Sequence, residues 1–170
     1  MQTEFITQNF RETKKLGKLL ADELFGGEVI CLYGELGAGK TTFSQGLLEG
    51  LGAQKPYTSP TFVVMKKYEV RSKKQEARSK KQEARSKKGE IKTIYHLDAY
   101  RVETEDILNL GWEEIITNPS NICIVEWAER IEKIIPERAV WIGFEWQDVK
   151  RRKLTIGKKG QLLAKNQKAC

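Results

Sequence analysis

The sequence predicts a three-layer α/β domain, in which helices cover a central mixed but mainly parallel sheet with an antiparallel hairpin edge. A glycine-rich loop at residues 34–41 lies between an apolar run and a helix-like stretch. Strand-like and helix-like segments alternate after it, and two of the later strands end in Asp98 and Glu126. Because ligands bind at the carboxyl ends of parallel strands, we expect these acids beside the loop.

The length of the chain limits the number of domains, and its charge is unevenly distributed. Its 170 residues suffice for one domain with a sizeable core but would be cramped for two. The net charge is +7, of which residues 71–91 carry +6 and residues 150–170 carry +8, so the remainder carries −7. The overall basicity is therefore no argument that the folded body binds RNA. We expect one domain over residues 1–157, interrupted at 71–91, and a basic, disordered tail over 158–170.

Cysteine usage and hydropathy restrict the compartment. Cys31, Cys123 and Cys170 are odd in number and lack C-x-x-C spacing, which argues against a disulfide framework or a zinc site. The first residues form no apolar signal region, and no apolar stretch approaches the length of a membrane span. We expect a cytoplasmic protein that makes no membrane contact, with Cys31 and Cys123 as core thiols.

The first elements frame the glycine-rich loop. Leucines at helical spacing predict a helix over residues 10–25, which a Gly-Gly pair ends. The apolar run at 29–33 predicts a strand, and a second helix is predicted from Lys40 to Leu51. The loop therefore has the strand before it and the helix after it that phosphate-binding loops require.

The loop itself matches the phosphate-binding pattern G-x-x-x-x-G-K-[ST] without a mismatch. Its glycines let backbone N–H groups turn inward around phosphate oxygens. Lys40 supplies a positive charge for the terminal phosphates, and Thr41 can place its hydroxyl on Mg²⁺. A nucleotide site explains this pattern better than a glycine-rich turn with a surface lysine.

The segment after the second helix holds a candidate switch. Ser59 and Pro60 lead into a predicted strand at 61–65. A threonine in such a loop can sense Mg²⁺ or the terminal phosphate, and Thr61 is the best candidate, followed by Thr58 and Ser59. The alternative, in which these residues only begin a strand, remains open.

Residues 71–91 are a tandem repeat with a period of seven, and they lengthen a hairpin. Only Ala77 and Ala84 are apolar before Ile91, which is too few for a coiled-coil seam. We expect a mobile, solvated loop, with an RNA-attracting arm as the alternative.

Two strands after the repeat end in acids. The strand at 91–98 ends in Asp98, and the continuous apolar strand at 122–126 ends in Glu126. Both carboxylates are placed to hold Mg²⁺ or a water molecule, although Asp98 could merely cap a turn. His96 is interpreted as structural. Trp127 either buries its ring near the site or is a core tryptophan.

The remaining segments complete the predicted sheet. A helix is predicted from Thr104 to about Thr117, and a short helix precedes Pro136. Strands at 140–146 and 154–156 form the predicted antiparallel edge hairpin.

Four blocks in this order resemble the bacterial TsaE family, also called YjeE or YdiB. They are the loop with its extension (34–43), Ser-Pro-Thr-Phe (59–62), His-Leu-Asp-Ala-Tyr-Arg (96–101) and Val-Glu-Trp (125–127). The loop alone would be generic, whereas the four blocks together are specific, and the resemblance covers the chain except the repeat and the tail. It implies a small P-loop ATPase that uses ATP and Mg²⁺. It also implies that the protein works with TsaD and TsaB to make threonylcarbamoyladenosine in tRNA, which it contacts only through that complex.

The resemblance also implies residue roles. The phosphates would be held by Gly37, Ala38, Gly39, Lys40, Thr41 and Thr42, and the catalytic set would be Lys40, Asp98, Glu126 and Thr61. Thr41 and Glu126 would bind Mg²⁺, and Asp98 would lie at its water shell or orient the attacking water. Arg151 or Arg152 is placed after the hairpin turn to reach the nucleotide. Glu35 stands where the family commonly has Asp.

Two other classes of protein that contain a phosphate-binding loop remain as alternatives. A nucleotide or small-molecule kinase would need an acceptor pocket and an arginine-rich lid. An RNA-binding module switched by ATP would use the repeat and tail as its phosphate-contacting surface.

For the ATPase, we expect weak hydrolysis that partners stimulate, because no internal arginine finger can be assigned from the sequence.

Overall fold

Seven strands form one sheet in the order β1-β7-β6-β2-β5-β4-β3. The computed structural model describes residues 2–60, 63–70 and 90–158. The strands are β1 (Thr3–Thr7), β2 (Val29–Gly34), β3 (Met65–Glu69), β4 (Thr93–Asp98), β5 (Asn121–Glu126), β6 (Val140–Trp146) and β7 (Arg152–Gly157). The helices are α1 (Phe10–Ala21), α2 (Lys40–Leu51), α3 (Thr104–Asn109), α4 (Trp112–Thr117) and a 3₁₀ helix (Ala128–Ile134).

The four central strands, β6, β2, β5 and β4, are parallel, and the pairs at both edges are antiparallel. This confirms the predicted fold class and the β6–β7 hairpin. In the parallel register, Glu126 of β5 lies beside Leu32 of β2 and Asp98 of β4. The carboxyl ends of β2, β5 and β4 therefore meet at one edge of the sheet, next to the start of α2.

Helices cover both faces of the sheet and create two apolar cores. One core lies under α1 and α2 and includes Phe43, Leu47 and Phe144. The other lies under α3, α4 and the 3₁₀ helix and includes Trp112 and Trp141. This is the predicted three-layer arrangement, with the central strands buried on both faces.

Glycines let α1 and α2 approach each other closely. A Cβ atom at Gly46 of α2 would lie 2.0 Å from the carbonyl oxygen of Lys14, and one at Gly50 would lie 2.4 Å from the Cβ of Ala21. A Cβ at Gly17 of α1 would lie 2.4 Å from the carbonyl oxygen of Phe43. The absence of side chains at these three positions lets the backbones of α1 and α2 pack directly against each other.

Three predicted elements differ from the structure. The helix predicted over residues 10–25 ends at Ala21, and the single helix predicted from Thr104 to Thr117 is two helices, because Gly111 adopts a left-handed φ of 79°. The strand predicted at 61–65 begins only at Met65, where Val64 before it has a φ of 62°.

Other expectations are met or lie outside the described residues. Cys31 and Cys123 are buried in the core, as expected, and burial raises the pKa of Cys123 to about 12. The predictions for Thr61, for most of the repeat (71–89) and for most of the tail (159–170) concern positions beyond the described residues. Within residues 2–60, 63–70 and 90–158, none of the helices has the length and apolar character needed to cross a membrane.

Candidate nucleotide site

The glycine-rich loop joins β2 to α2 in the conformation that its glycines permit. Gly34, Gly37 and Gly39 have φ values of 125°, 75° and 106°, which side-chain-bearing residues rarely adopt. A Cβ atom at Gly34 would also lie 2.3 Å from the carbonyl oxygen of Phe144. The loop delivers Lys40 and Thr41 as the first residues of α2, where the helix dipole favours an anion.

Lys40 is buried, and its ammonium group contacts the loop. Its Nζ donates to the carbonyl oxygens of Gly34 and Glu35 at 2.5 and 2.9 Å and lies 3.5 Å from the centre of the Trp127 ring. Burial lowers the pKa of Lys40, although the negative charges of nearby carboxylates oppose this shift, that of Glu129 most strongly. The ammonium group of Lys40 thus contacts two carbonyl oxygens and an aromatic ring. Phosphate oxygens can take the place of the carbonyl oxygens as hydrogen-bond acceptors.

Glu126 lies at the centre of a hydrogen-bonded network. Thr41 Oγ1 donates to its Oε2 at 2.7 Å, and Ser44 Oγ donates to its Oε1 at 3.0 Å. His96 Nε2 lies 2.8 Å from the same Oε1. Burial by itself would raise the pKa of Glu126, but these partners, foremost His96, lower it below the ordinary value. Glu126 is therefore held as a carboxylate although it is only 2% exposed.

His96 therefore belongs to the site and does more than fill the core. The sequence interpretation treated it as a structural residue, and it missed Ser44 altogether. His96 precedes Asp98 by two residues, so both lie on the same face of β4, and β4 pairs in parallel with β5. The alternation of side chains could have placed His96 beside Glu126, had the pairing of these strands been known.

Asp98 and the loop line one cavity of about 390 Å³. The cavity is lined by Leu36, Gly37, Gly39, Lys40, Thr41, Thr42, Asp98, Tyr100, Arg101, Glu126 and Trp127. Asp98 Oδ1 accepts a hydrogen bond from the backbone N–H of Tyr100 at 2.9 Å, so it also caps the turn after β4. The structure thus brings together Lys40, Thr41 and both strand-end acids. Ala38 is fully buried and does not line the cavity.

Aromatic side chains form one wall of the cavity. Trp127 follows β5 in a left-handed conformation with a φ of 59°, and its ring lies 4.7 Å from that of Tyr100. Of the two alternatives for Trp127, the structure favours a ring beside the site. Arg101, which follows Tyr100, lines the cavity as well.

The two arginines after the hairpin turn lie elsewhere. Arg151 Nε donates to Asp148 Oδ2 at 2.6 Å. The guanidinium of Arg152 lies 3.7 Å from the centre of the Trp146 ring. Neither arginine lines the cavity, although Trp146 reaches the loop, since a Cβ atom at Gly37 would lie 3.2 Å from its ring.

The segment before the candidate switch is tied to β3. Lys66 Nζ donates to Thr58 Oγ1 and, at 3.1 Å, to the carbonyl oxygen of Ser59. These contacts hold the chain two and three residues before Thr61, which itself is not among the described residues.

Comparisons with known proteins add to this geometry. The family model described as "Threonylcarbamoyl adenosine biosynthesis protein TsaE" matches residues 7–154. A Bacillus subtilis protein named tRNA threonylcarbamoyladenosine biosynthesis protein TsaE is 34% identical over 155 residues, covering 91% of this chain and 85% of the relative. A Nostoc protein of the same name is 38% identical over 133 residues, covering 76% and 70%. The crystal structure of B. subtilis YdiB matches with a TM-score of 0.68 at 28% identity, covering 99% of this chain and 93% of that one.

Proposed function

The chain belongs to the TsaE family of threonylcarbamoyl adenosine biosynthesis proteins, and we propose that it binds and hydrolyses ATP with Mg²⁺ to support formation of threonylcarbamoyladenosine in tRNA. One observation carries the ATPase part: Lys40, Thr41, Asp98 and Glu126 line one cavity at the carboxyl edge of the parallel strands. An ammonium group, a hydroxyl and two carboxylates at a helix N-terminus are the groups that a Mg²⁺-nucleoside triphosphate requires.

The oxygens of Thr41 and Glu126 fit a Mg²⁺ ion. Thr41 Oγ1 and Glu126 Oε2 lie 2.7 Å apart, close to the separation of about 2.9 Å between adjacent ligands of an octahedral Mg²⁺. The described part of the chain contains no group of three or more His, Cys, Asp or Glu side chains that could hold a metal. A site with only one or two protein ligands is typical of Mg²⁺, because the ion keeps waters and substrate phosphates as its other ligands. When bound, Mg²⁺ neutralises charge on the phosphate oxygens.

The residues of the chain supply the remaining functions of hydrolysis. Lys40 exchanges the carbonyl oxygens of Gly34 and Glu35 for phosphate oxygens, which accept stronger, charge-assisted hydrogen bonds. Asp98 accepts a hydrogen bond from the attacking water and orients its oxygen toward the terminal phosphorus. The new P–O bond forms as the bond to the bridging oxygen breaks, and ADP leaves with that electron pair. Both protons of the water end on the phosphate product, which leaves as H₂PO₄⁻.

The proposal extends to partners. The protein acts in the cytoplasm with homologues of TsaD and TsaB and contacts tRNA through them. Among the described arginines, only Arg101 lines the cavity. Because nucleoside triphosphate hydrolysis is slow until enough positive charge reaches the terminal phosphate, we expect slow hydrolysis alone and faster hydrolysis with partners.

Phosphate release from ATP tests the proposal. Wild-type protein should release free phosphate in a Mg²⁺-dependent reaction that TsaD and TsaB homologues accelerate, whereas Lys40→Ala should not. Lys15→Ala, which removes an exposed lysine of α1, is the matched control and should behave as wild type. Equal rates for wild type and Lys40→Ala would refute the ATPase role. A phosphorylated small molecule in place of free phosphate would favour a kinase.

A further inference from the structure

Hydrogen bonds occupy most of the acceptor positions of the Glu126 carboxylate. A carboxylate has two oxygens with about four lone-pair positions in all. Among the described residues, His96 Nε2 and Ser44 Oγ lie 2.8 and 3.0 Å from Oε1, and Thr41 Oγ1 lies 2.7 Å from Oε2. Both positions of Oε1 are therefore used, and one position of Oε2 remains for a further ligand.

Both partners of Oε1 act as hydrogen-bond donors. An ionised carboxylate cannot donate, so the His96 ring carries a proton on Nε2. Ser44 Oγ also lies 3.1 Å from the carbonyl oxygen of Lys40. The single proton of the hydroxyl favours the carboxylate, because hydrogen bonds to charged acceptors are stronger. His96 is 1% exposed and Ser44 is fully buried, so bulk water does not compete for these two bonds.

The donors come from two different elements of the fold and hold the carboxylate from both sides. His96 lies on β4, whereas Ser44 and Thr41 lie on α2. The carboxylate of Glu126 cannot rotate without breaking bonds to one of these elements. Thr41 and Glu126 line the cavity, but His96 and Ser44 do not. His96 and Ser44 can therefore act on a ligand in the cavity only through Glu126.

We propose that His96 and Ser44 are positioning residues that select the metal ion, because they leave Glu126 only one oxygen, Oε2, for a cation. This inference rests on the proposed function, in which Thr41 and Glu126 bind Mg²⁺. Mg²⁺ demands near-ideal octahedral geometry, which a carboxylate satisfies with one oxygen, whereas Ca²⁺ takes about six to eight oxygens and accepts both oxygens of one carboxylate. A fixed carboxylate with a single available oxygen therefore favours Mg²⁺ over Ca²⁺.

Calorimetric titration with a non-hydrolysable ATP analogue measures this selectivity. Each protein is titrated once in excess Mg²⁺ and once in excess Ca²⁺, so that the analogue carries the metal in both series. The selectivity is the ratio of the two dissociation constants, Ca²⁺ over Mg²⁺. His96→Leu and Ser44→Ala each remove one donor to Oε1, and His96→Gln keeps an N–H donor. Ile122→Val shortens a fully buried side chain of β5 and is the control for destabilisation alone.

The wild type should bind the Mg²⁺ complex more tightly than the Ca²⁺ complex. His96→Leu and Ser44→Ala should each lower the selectivity ratio about tenfold, which is the lower end of the usual effect of losing a hydrogen bond to a metal ligand. His96→Gln should restore most of the wild-type ratio, and Ile122→Val should match the wild type.

Three results would overturn the inference while the proposed function stands. An unchanged ratio in both His96→Leu and Ser44→Ala would mean that these hydrogen bonds only support the fold, because a structural role weakens both metal complexes equally. A fall in only one of the two variants would refute the role of the other residue. A wild type that binds both complexes equally would refute the selectivity itself. If the wild type binds neither complex, the nucleotide site fails, and the metal selectivity fails with it.

Discussion

Replacing Gly46 with alanine should destabilise the protein and shift the phosphate-loop helix. The new Cβ atom would lie 2.0 Å from the backbone carbonyl oxygen of Lys14, where ordinary contacts begin at about 3.4 Å. The atom it meets is backbone, so no side-chain rotation can relieve the clash. The two helices must therefore separate by about 1.4 Å at this point, since 3.4 Å is the ordinary contact distance.

The magnitude follows from two opposing effects. Overpacking of this kind costs typically 1–3 kcal/mol, and a hard backbone clash belongs at or above the upper end. Alanine returns about 1 kcal/mol, because it is the better helix former. The net loss in the free energy of unfolding should be about 2 kcal/mol or more.

Urea unfolding followed by circular dichroism measures this loss. Lys15→Ala, at an exposed position of α1, is the control and should lie within about 0.5 kcal/mol of wild type. ATP affinity of Gly46→Ala should also fall, because α2 carries Lys40 and Thr41. A Gly46→Ala protein as stable as wild type would refute the close-packing argument.

Three further predictions concern the site and the α1–α2 contact. Ser44→Ala removes one of the hydrogen bonds to Glu126 and should cost about 1–2 kcal/mol in urea unfolding; no loss would mean that the bond contributes nothing. His96→Leu leaves Glu126 Oε1 without its nitrogen partner and should cost about 1–3 kcal/mol, together with weaker Mg²⁺-dependent ATP binding; a loss below about 0.5 kcal/mol would contradict the network. Hydrogen bonds from two lysines of α1 lower the pKa of Glu49 from its usual 4.5 to about 2. This stabilisation is present above the unfolded pKa and is lost as the pH falls toward 2. The difference between wild type and Glu49→Gln, below about 1 kcal/mol for a surface pair, should therefore shrink in urea titrations from pH 4.5 downward, and a constant difference would contradict it.

Much of the candidate nucleotide site could be predicted from the sequence, because its residues lie in local patterns. The loop at residues 34–41 is a contiguous motif, and Asp98 and Glu126 each end a strand-like run. The carboxyl ends of neighbouring parallel strands meet at one edge of a sheet, so these two acids could be assigned together without knowledge of the strand order.

The residues that were missed depend on long-range pairing. His96 meets Glu126 only through the register of β4 and β5, and Trp146 meets Gly37 only because β6 is the neighbour of β2. Neither relation leaves a trace in the local sequence. β1 was not predicted, because four of its five residues are exposed and carry no apolar alternation.

The helix break at Gly111 shows the opposite problem. A glycine inside a helical pattern is tolerated often enough that the pattern alone favoured one helix. In the structure, Gly111 adopts the left-handed conformation and begins a second helix, in which Trp112 is buried. The second helix buries the Trp112 side chain in the core, and this packing is visible only in the folded chain.

A reconstituted threonylcarbamoyl-transfer assay tests the central claim most directly. Homologues of TsaD and TsaB, tRNA and a threonylcarbamoyl donor are combined with ATP and with wild-type protein, Lys40→Ala or Lys15→Ala. We expect wild type and Lys15→Ala to support repeated rounds of tRNA modification and Lys40→Ala to fail, since the proposed mechanism requires Lys40 to contact the phosphates. Equal product formation with all three proteins would contradict the account.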